Sequence, residues 1–336
     1  MGRPPDPVRV NAKGTRLAAI DVGTNTTRLL VAEVGPKGLT ELDRRLLFTR
    51  LGEGLDATGG LAPAAIARTV AAVADLAGIA KGLGAEAIRV AGTSAVREAA
   101  NGEELRAAVA AATGATLEVV AGEAEAALSF AGATGDLPPG RYLVCDIGGG
   151  STELALGAAP SGMIEGRISL PLGVVRLTER HLRNDPPLPA ELAALEADVD
   201  AALDRAVPAL PNAVSAQLVG VAGTITSLAA IRLGLDHYDP AAVHGATLEA
   251  GEIDGLYRRL AAMTLPERES LPPLPPGRAD VIVAGCGIVA RVMARWSFPA
   301  VVVSEKDILD ALVQELSEDR PGSPIGVRRF EFGGER

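Results

Sequence analysis

The chain has 336 residues and a formal net charge of −10; 48% of it is hydrophobic but only 3% aromatic. That length suggests about two domains, and an aliphatic core suits a buried α/β sheet better than an aromatic-rich sandwich. The acidic balance and scarcity of stacking rings argue against a nucleic-acid binder. A polyanionic ligand would need a metal ion and a local cluster of Arg or Lys.

Cys145 and Cys286 form no CxxC pair, and disulfide or zinc frameworks need more cysteines than this. His181, His237 and His244 lie far apart without ligand spacing. The N-terminus MGRPPDPVRVNAKGTR lacks the apolar region of a secretory signal. Val281 to Ala290, the longest apolar stretch, is too short to span a bilayer. A soluble, cytoplasmic protein is expected, with no membrane and no nucleic-acid partner.

Residues 1–15 read as a disordered leader. Strands follow at Leu17–Val22 and Thr27–Val34, with a third over Leu39–Arg50. LAPAAIARTVAAVADLAGIAKGLGA is a helix with Ile66, Val70, Val73 and Leu76 on one face. Ala87–Ala91 is a strand. Asn101 is placed to cap a helix running to Ala112, with Glu103 and Glu104 in its first turn. Leu117–Val120 is a strand and Gly122–Ala133 a helix; TGDLPPGR then reads as a hinge. Strands at Tyr142–Asp146, Thr152–Leu156 and Met163–Leu170 restart the pattern. Helices are expected over 173–182 and 189–206, a strand at Gln217–Val221 and a helix at Thr224–Leu233. LPERESLPPLPPG reads as a Pro-rich surface loop. Val281–Arg295 is apolar nearly all round and reads as a buried helix. A strand at Ala300–Val303 and a helix from Lys306 to Leu316 end the pattern, leaving 317–336 as a flexible tail.

Two stretches carry most of the functional signal: IDVGTNTTRLLVAEV at 20–34 and CDIGGGSTELALG at 145–157. Each is an apolar strand ending in Asp, then a Gly-rich turn with hydroxyl residues, then a second apolar run. The repeat divides the chain into two similar α/β halves facing a cleft, 16–132 and 133–316. Gly23 permits a tight turn, and Thr24, Asn25 and Thr26 add donors. Gly148, Gly149, Gly150, Ser151 and Thr152 do the same in the second copy. Successive backbone N–H groups in such turns form an anion nest; the plain alternative is an ordinary glycine hairpin. Asp21 and Asp146 are placed to hold Mg²⁺, which favours carboxylates plus substrate phosphates, or to cap their own turns.

VAGTITSLAA puts Gly223 and Thr224 at a helix N-terminus, a ready phosphate site. Arg97 follows a strand and is a candidate for neutralising substrate oxygens; its plain alternative is a surface pair with Glu98 or Glu103. Glu123 and Glu125 open a helix near the hinge. Acidic residues are common there for dipole reasons, and a carboxylate pointing into the cleft can also take a proton from water.

The ordered series AAIDVGTNTTRLLVAEV, AGTSAVREAANGEEL, VAGEAEAALSF, DIGGGSTELALG, PLGVVRLTE, VAGTITSLAA and VVVSEKDILDALV resembles the exopolyphosphatase and guanosine pentaphosphate phosphatase family over roughly residues 16–316. The resemblance implies two actin-like, ribonuclease H-like domains facing a cleft. It implies hydrolysis of phosphoanhydride bonds in inorganic polyphosphate or the alarmone pppGpp, Mg²⁺ as the ion, and a homodimer as the family-level expectation. The family's Gly-x-x-Glu-Ala pattern falls on Gly122 to Ala126, which makes Glu125 the general base. Many relatives carry two adjacent Glu there; here Ala124 replaces the first, which leaves Glu123 as a rival. Asp146, Gly148, Ser151 and Glu153 match the family's second phosphate loop, with Asp146 and Glu153 in catalytic roles. Longer relatives also carry a C-terminal helical domain with an HD-type motif. No His-Asp pair occurs here, which argues against highly processive action on long polymers. Two other classes share the pattern: an ATP-dependent phosphotransferase of the same superfamily, and a non-catalytic sensor of alarmone or polyphosphate.

Overall fold

The computed structural model describes residues 14–35, 38–275 and 277–318. The expected leader and tail therefore fall outside the described residues, except at their inner ends.

Two sheets dominate. The first has β1 (Thr15–Val22), β2 (Thr26–Gly35), β3 (Gly38–Phe48), β4 (Ala87–Gly92) and β5 (Leu117–Val119) in the order β3-β2-β1-β4-β5. The second has β6 (Gly140–Ile147), β7 (Thr152–Ala159), β8 (Met163–Leu170), β9 (Gln217–Val221), β10 (Thr247–Glu249) and β11 (Ala300–Val303) in the order β10-β11-β9-β6-β7-β8. In each, a meander of three antiparallel strands continues through parallel strands joined by helical crossovers, and β10 closes the second sheet antiparallel to β11. This is an α/β fold of two similar units, each built on one mixed sheet. The duplication reaches fine detail. Asp21 pairs with Arg28 across β1 and β2, and Asp146 pairs with Glu153 at the same register across β6 and β7. The irregularities at Val31/Ala32 and Leu156/Gly157 also fall at equivalent places.

Both central hairpins are apolar runs buried on two faces, as strands flanked by helices must be. The helix Pro63–Gly82 starts on a proline, which suits a first turn. By length and composition it could cross a membrane. It lays Val73, Leu76, Ala77 and Ala80 against Ile20, Leu29 and Val31 of the first sheet. The helix Ile282–Trp296 is buried along most of its length, as its composition requires. Asn101 precedes Gly102–Thr113 without capping it; its side-chain amide instead pairs with both backbone groups of Leu61.

Larger departures from expectation lie in the second half of the chain. LPERESLPPLPPG contains a turn of helix, Leu265–Glu269, because Thr264 and Glu267 close a capping box. Its Arg268 is buried, bonded to the carbonyls of Ala279 and Met263 and to Asp185. The helix Ala250–Ala262 has no counterpart among the expected elements; a second capping box, Glu249 with Glu252, starts it. Finally, the last helix, Ile308–Glu318, does not stay with the second half. Ile308, Leu309, Leu312 and Val313 pack on Leu17, Ala19, Leu30 and Ala32 of the first sheet. The chain returns to its starting layer, so a cut near residue 133 cannot separate the two units.

Candidate functional site

The two glycine turns face one cavity of about 440 Å³. Gly23 N–H donates to the Thr26 carbonyl and Gly148 N–H to the Ser151 carbonyl, each at 2.9 Å, so the turns share one backbone form. Their carbonyls are held from behind: Asn25 accepts from Thr49 and Arg50, and Gly149 from Val175. The loops also touch. A Cβ on Gly150 would lie 2.6 Å from both Ser94 Oγ and Thr24 Oγ1, and one on Gly149 would lie 2.9 Å from Thr24 Cβ. The second loop needs glycine because the first loop's side chains occupy that space.

Asp21, Gly23, Thr24, Asn25, Thr26, Glu125, Asp146, Gly148, Gly149, Gly150, Ser151, Gly223 and Thr224 all border the cavity. Arg97, Thr152 and Glu153 do not. The Thr152 hydroxyl donates to the Leu172 carbonyl at 2.5 Å. Its counterpart Thr27 is likewise turned to Thr49, at 3.0 Å. Both stand within the first two residues of their strands and fasten the hairpin behind the turn. Glu153 is buried beneath the loop, accepting from Ser169 Oγ at 2.7 Å.

Burial dominates the acidities. It raises Asp21, and it lifts Asp146 to about 6 even though Ser129 Oγ donates to Asp146 Oδ2 at 2.5 Å. Glu153 is raised to about 8, first by desolvation and then by the nearby Asp146 charge. Glu125 is raised too, by desolvation and the Glu153 charge, against the opposing pull of Arg97. A carboxyl so placed keeps its proton more readily than one in water, which suits a group that must accept a proton from a bound molecule.

Arg97 makes no surface pair with Glu98 or Glu103. Its Nη1 instead donates to Glu125 Oε2 at 2.9 Å and to the Val120 carbonyl at 2.6 Å. It steadies the carboxylate rather than facing the cavity. Glu125 is 8% exposed and its neighbour Glu123 faces outward toward Arg167, with a side chain 69% exposed. The helix Gly122–Thr134 thus turns Glu125 inward and Glu123 away, and carries Ser129 one turn on, where it reaches Asp146.

At the far wall, β9 passes into the helix Ala222–Arg232, which begins two residues earlier than expected and takes Thr224 into its first turn. Ala222 sits at φ 66°, a left-handed conformation that few residues with a Cβ adopt. Sequence reasoning missed Arg278 here. Its Nη1 donates to the Gly223 carbonyl at 2.9 Å and to Ser227 Oγ at 3.1 Å, and no carboxylate pairs with it among the described residues. A Cβ on Gly223 would overlap its guanidinium carbon. Desolvation lowers Arg278 to about 10. The cavity's other arginines are already committed: Arg28 to Asp21 and Asp307, Arg44 to Asp310, Arg45 to Asp43. A half-buried guanidinium with no carboxylate partner among the described residues invites an anion.

The donor set also suits a divalent cation completed by a ligand. Asp21 Oδ1 is buried without a hydrogen-bond partner, and Asp146 borders the same cavity. No cluster of three or more His, Cys, Asp or Glu disposed to hold a metal occurs among the described residues. Two carboxylates with phosphate oxygens and water in the remaining positions match what Mg²⁺ accepts.

The model of the Ppx/GppA phosphatase family matches residues 30–309. Exopolyphosphatase 2 of Mycobacterium tuberculosis is 40% identical, covering 90% of this chain and 99% of that protein. The crystal structure of an exopolyphosphatase-like protein superposes with a TM-score of 0.86 at 36% identity, covering 90% of this chain and 98% of that one. The Aquifex aeolicus member of the Ppx/GppA family gives a TM-score of 0.77 at 30% identity, covering 91% and 99%. The chain belongs to the Ppx/GppA phosphatase family.

Proposed function

We propose that this protein is an exopolyphosphatase, a soluble cytoplasmic enzyme releasing orthophosphate from the end of inorganic polyphosphate. The observation that carries the reading is one cavity bordered by two Asp-headed glycine turns and a buried glutamate. The names of its relatives favour polyphosphate. The alarmone pppGpp ends in the same anhydride and is the substrate to test beside it.

The terminal phosphoryl group lies between the turns, with backbone N–H groups of Thr24–Thr26 and Gly149–Ser151 on its oxygens. Arg278, Gly223 and Thr224 take the next phosphate along the chain. Glu125 accepts a proton as water attacks the terminal phosphorus in line, and the bridging oxygen leaves with the shortened chain. Phosphoryl transfer is accelerated mainly by positioning and by stabilising charge on the equatorial oxygens, which is the service these donors offer. Mg²⁺ held by Asp21 and Asp146 would neutralise phosphate charge when bound. Arg97 aims Glu125 and partly offsets the effect of burial on its proton. Glu153 raises the proton affinity of Glu125 from behind the loop.

Phosphate release measured side by side on short polyphosphate, long polyphosphate, pppGpp and ATP tests the reading. Release from polyphosphate without any acceptor is expected. Turnover of ATP only in the presence of a small-molecule acceptor would replace it with a phosphotransferase.

A further inference from the structure

The Asp21 carboxylate is held in an unusual way. Arg28 Nε and Nη2 both donate to Oδ2, at 3.1 and 2.7 Å, rather than one to each oxygen as an Arg fork usually does. Oδ1 is left buried and without a partner. The reason lies on the other side of Arg28, whose Nη1 is engaged by Asp307 Oδ2. Asp307 is itself fixed, since its Oδ1 accepts from the Leu309 N–H at 3.0 Å and its N–H donates to Asp310 Oδ2 at 3.1 Å. Asp310 in turn is gripped by Arg44 at 3.0 Å. The strap carrying Asp307 cannot drift toward the helix beside it, because the Asp307 carbonyl oxygen already fills the space a Cβ on Gly132 would take.

We propose that Asp307 and Arg28 are positioning residues that pull one oxygen of Asp21 aside and leave the other aimed at a divalent cation, so that the start of the last helix sets the metal-binding competence of the first loop. The inference rests on the phosphohydrolase reading for its purpose but not for its geometry. Arg28 holds two carboxylates with one guanidinium, which a lysine ammonium cannot do with the same planar geometry. Partners that orient a metal-binding side chain commonly set metal affinity by roughly 10–100-fold.

Mn²⁺ binding to the full chain, followed by loss of the free-ion EPR signal without substrate, tests this. Asp307→Asn is expected to raise the Mn²⁺ dissociation constant roughly 10–100-fold. It is also expected to raise the Mg²⁺ concentration for half-maximal turnover, with most of kcat recovered at saturating Mg²⁺. A merely structural tie would lower the melting temperature and leave the Mn²⁺ affinity of the folded variant at the wild-type value, which overturns the proposal. So does a wild-type protein that binds no Mn²⁺. Should Asp307→Asn not fold, Arg28→Lys carries the same expectation and is read by the same two outcomes. If the variants lose Mn²⁺ while the wild type releases no phosphate from polyphosphate, the functional reading falls and this one stands.

Discussion

In the first hairpin Asp21 faces Arg28 across the ladder; in the second, Asp146 faces Glu153 at the same register. The backbones match down to the turn hydrogen bond and the irregularity further along. The charges oppose. One Asp is paired with a half-buried guanidinium, while the other lies above a second buried carboxyl and is eased by a serine hydroxyl and the more distant Arg28 charge. The lesson is that a duplicated backbone supplies two similar cradles, and one cross-strand position then makes them different. The first cradle carries a cation beside its Asp and is braced by the last helix. The second is anion-rich and gains from a bound cation or a proton.

The largest effect is expected where both cradles meet. Glu125→Gln should lower kcat for polyphosphate on the order of 10²–10⁴-fold while sparing binding. Steady-state phosphate release measures it, and a wild-type rate would remove Glu125 from the role of base.

Steric asymmetry between the loops gives the next test. Gly150→Ala forces a methyl group against Thr24 and Ser94, whereas Gly23→Ala meets only the Thr26 carbonyl oxygen, at 3.0 Å. A misplacement of an ångström can cost about 10² in rate. We expect Gly150→Ala to lose roughly that much in kcat/KM and Gly23→Ala to stay within about tenfold of wild type. Equal losses would mean that the loops do not touch as described.

Much of this was legible in the sequence, for physical reasons. Both hairpins announce themselves as aliphatic runs flanking Asp and Gly, because strands buried on both faces tolerate little else. Glu125 was legible through the family's Gly-x-x-Glu-Ala pattern, which left Glu123 as a rival until the folded helix turned Glu123 outward. What was not legible depends on long-range return. Nothing local to Ile308–Glu318 says that it packs on the first sheet. Arg278 sits beside a proline-rich stretch that reads as surface, yet the fold brings it to the Gly223 carbonyl. Arg97 reads as a surface arginine because Glu98 and Glu103 are near in sequence, while its partner Glu125 arrives from another helix. Thr152 matches the loop motif, but the strand pleat turns it backward.

Arg278→Met should separate binding from folding. Removing a half-buried cation with no ion-pair partner among the described residues relieves a desolvation penalty. The variant is therefore expected to melt no lower than wild type. A hydrogen bond to a charged group contributes about 1.5–3 kcal/mol, so kcat/KM should fall roughly 10–100-fold, chiefly through KM. A drop in melting temperature with unchanged KM would make Arg278 a structural residue.

The smallest effect bears most directly on the contrast in charge. Glu153 is raised from 4.5 to about 8 in the folded protein. Its protonated form is the one the fold prefers, so its contribution to stability is complete below about pH 4.5 and is lost as pH rises through about 8. Glu153→Gln keeps the shape and donates like the protonated acid, but cannot ionise. At about pH 5 the two proteins should melt within a degree or two of each other, and by about pH 9 the variant should melt several degrees higher. The first hairpin has no such liability, because Arg28 sits where Glu153 does and holds its charge throughout this range. A melting difference that stays flat from acid to alkaline pH would show that Glu153 is ionised or solvated in the fold, and the two cradles would then differ in shape alone.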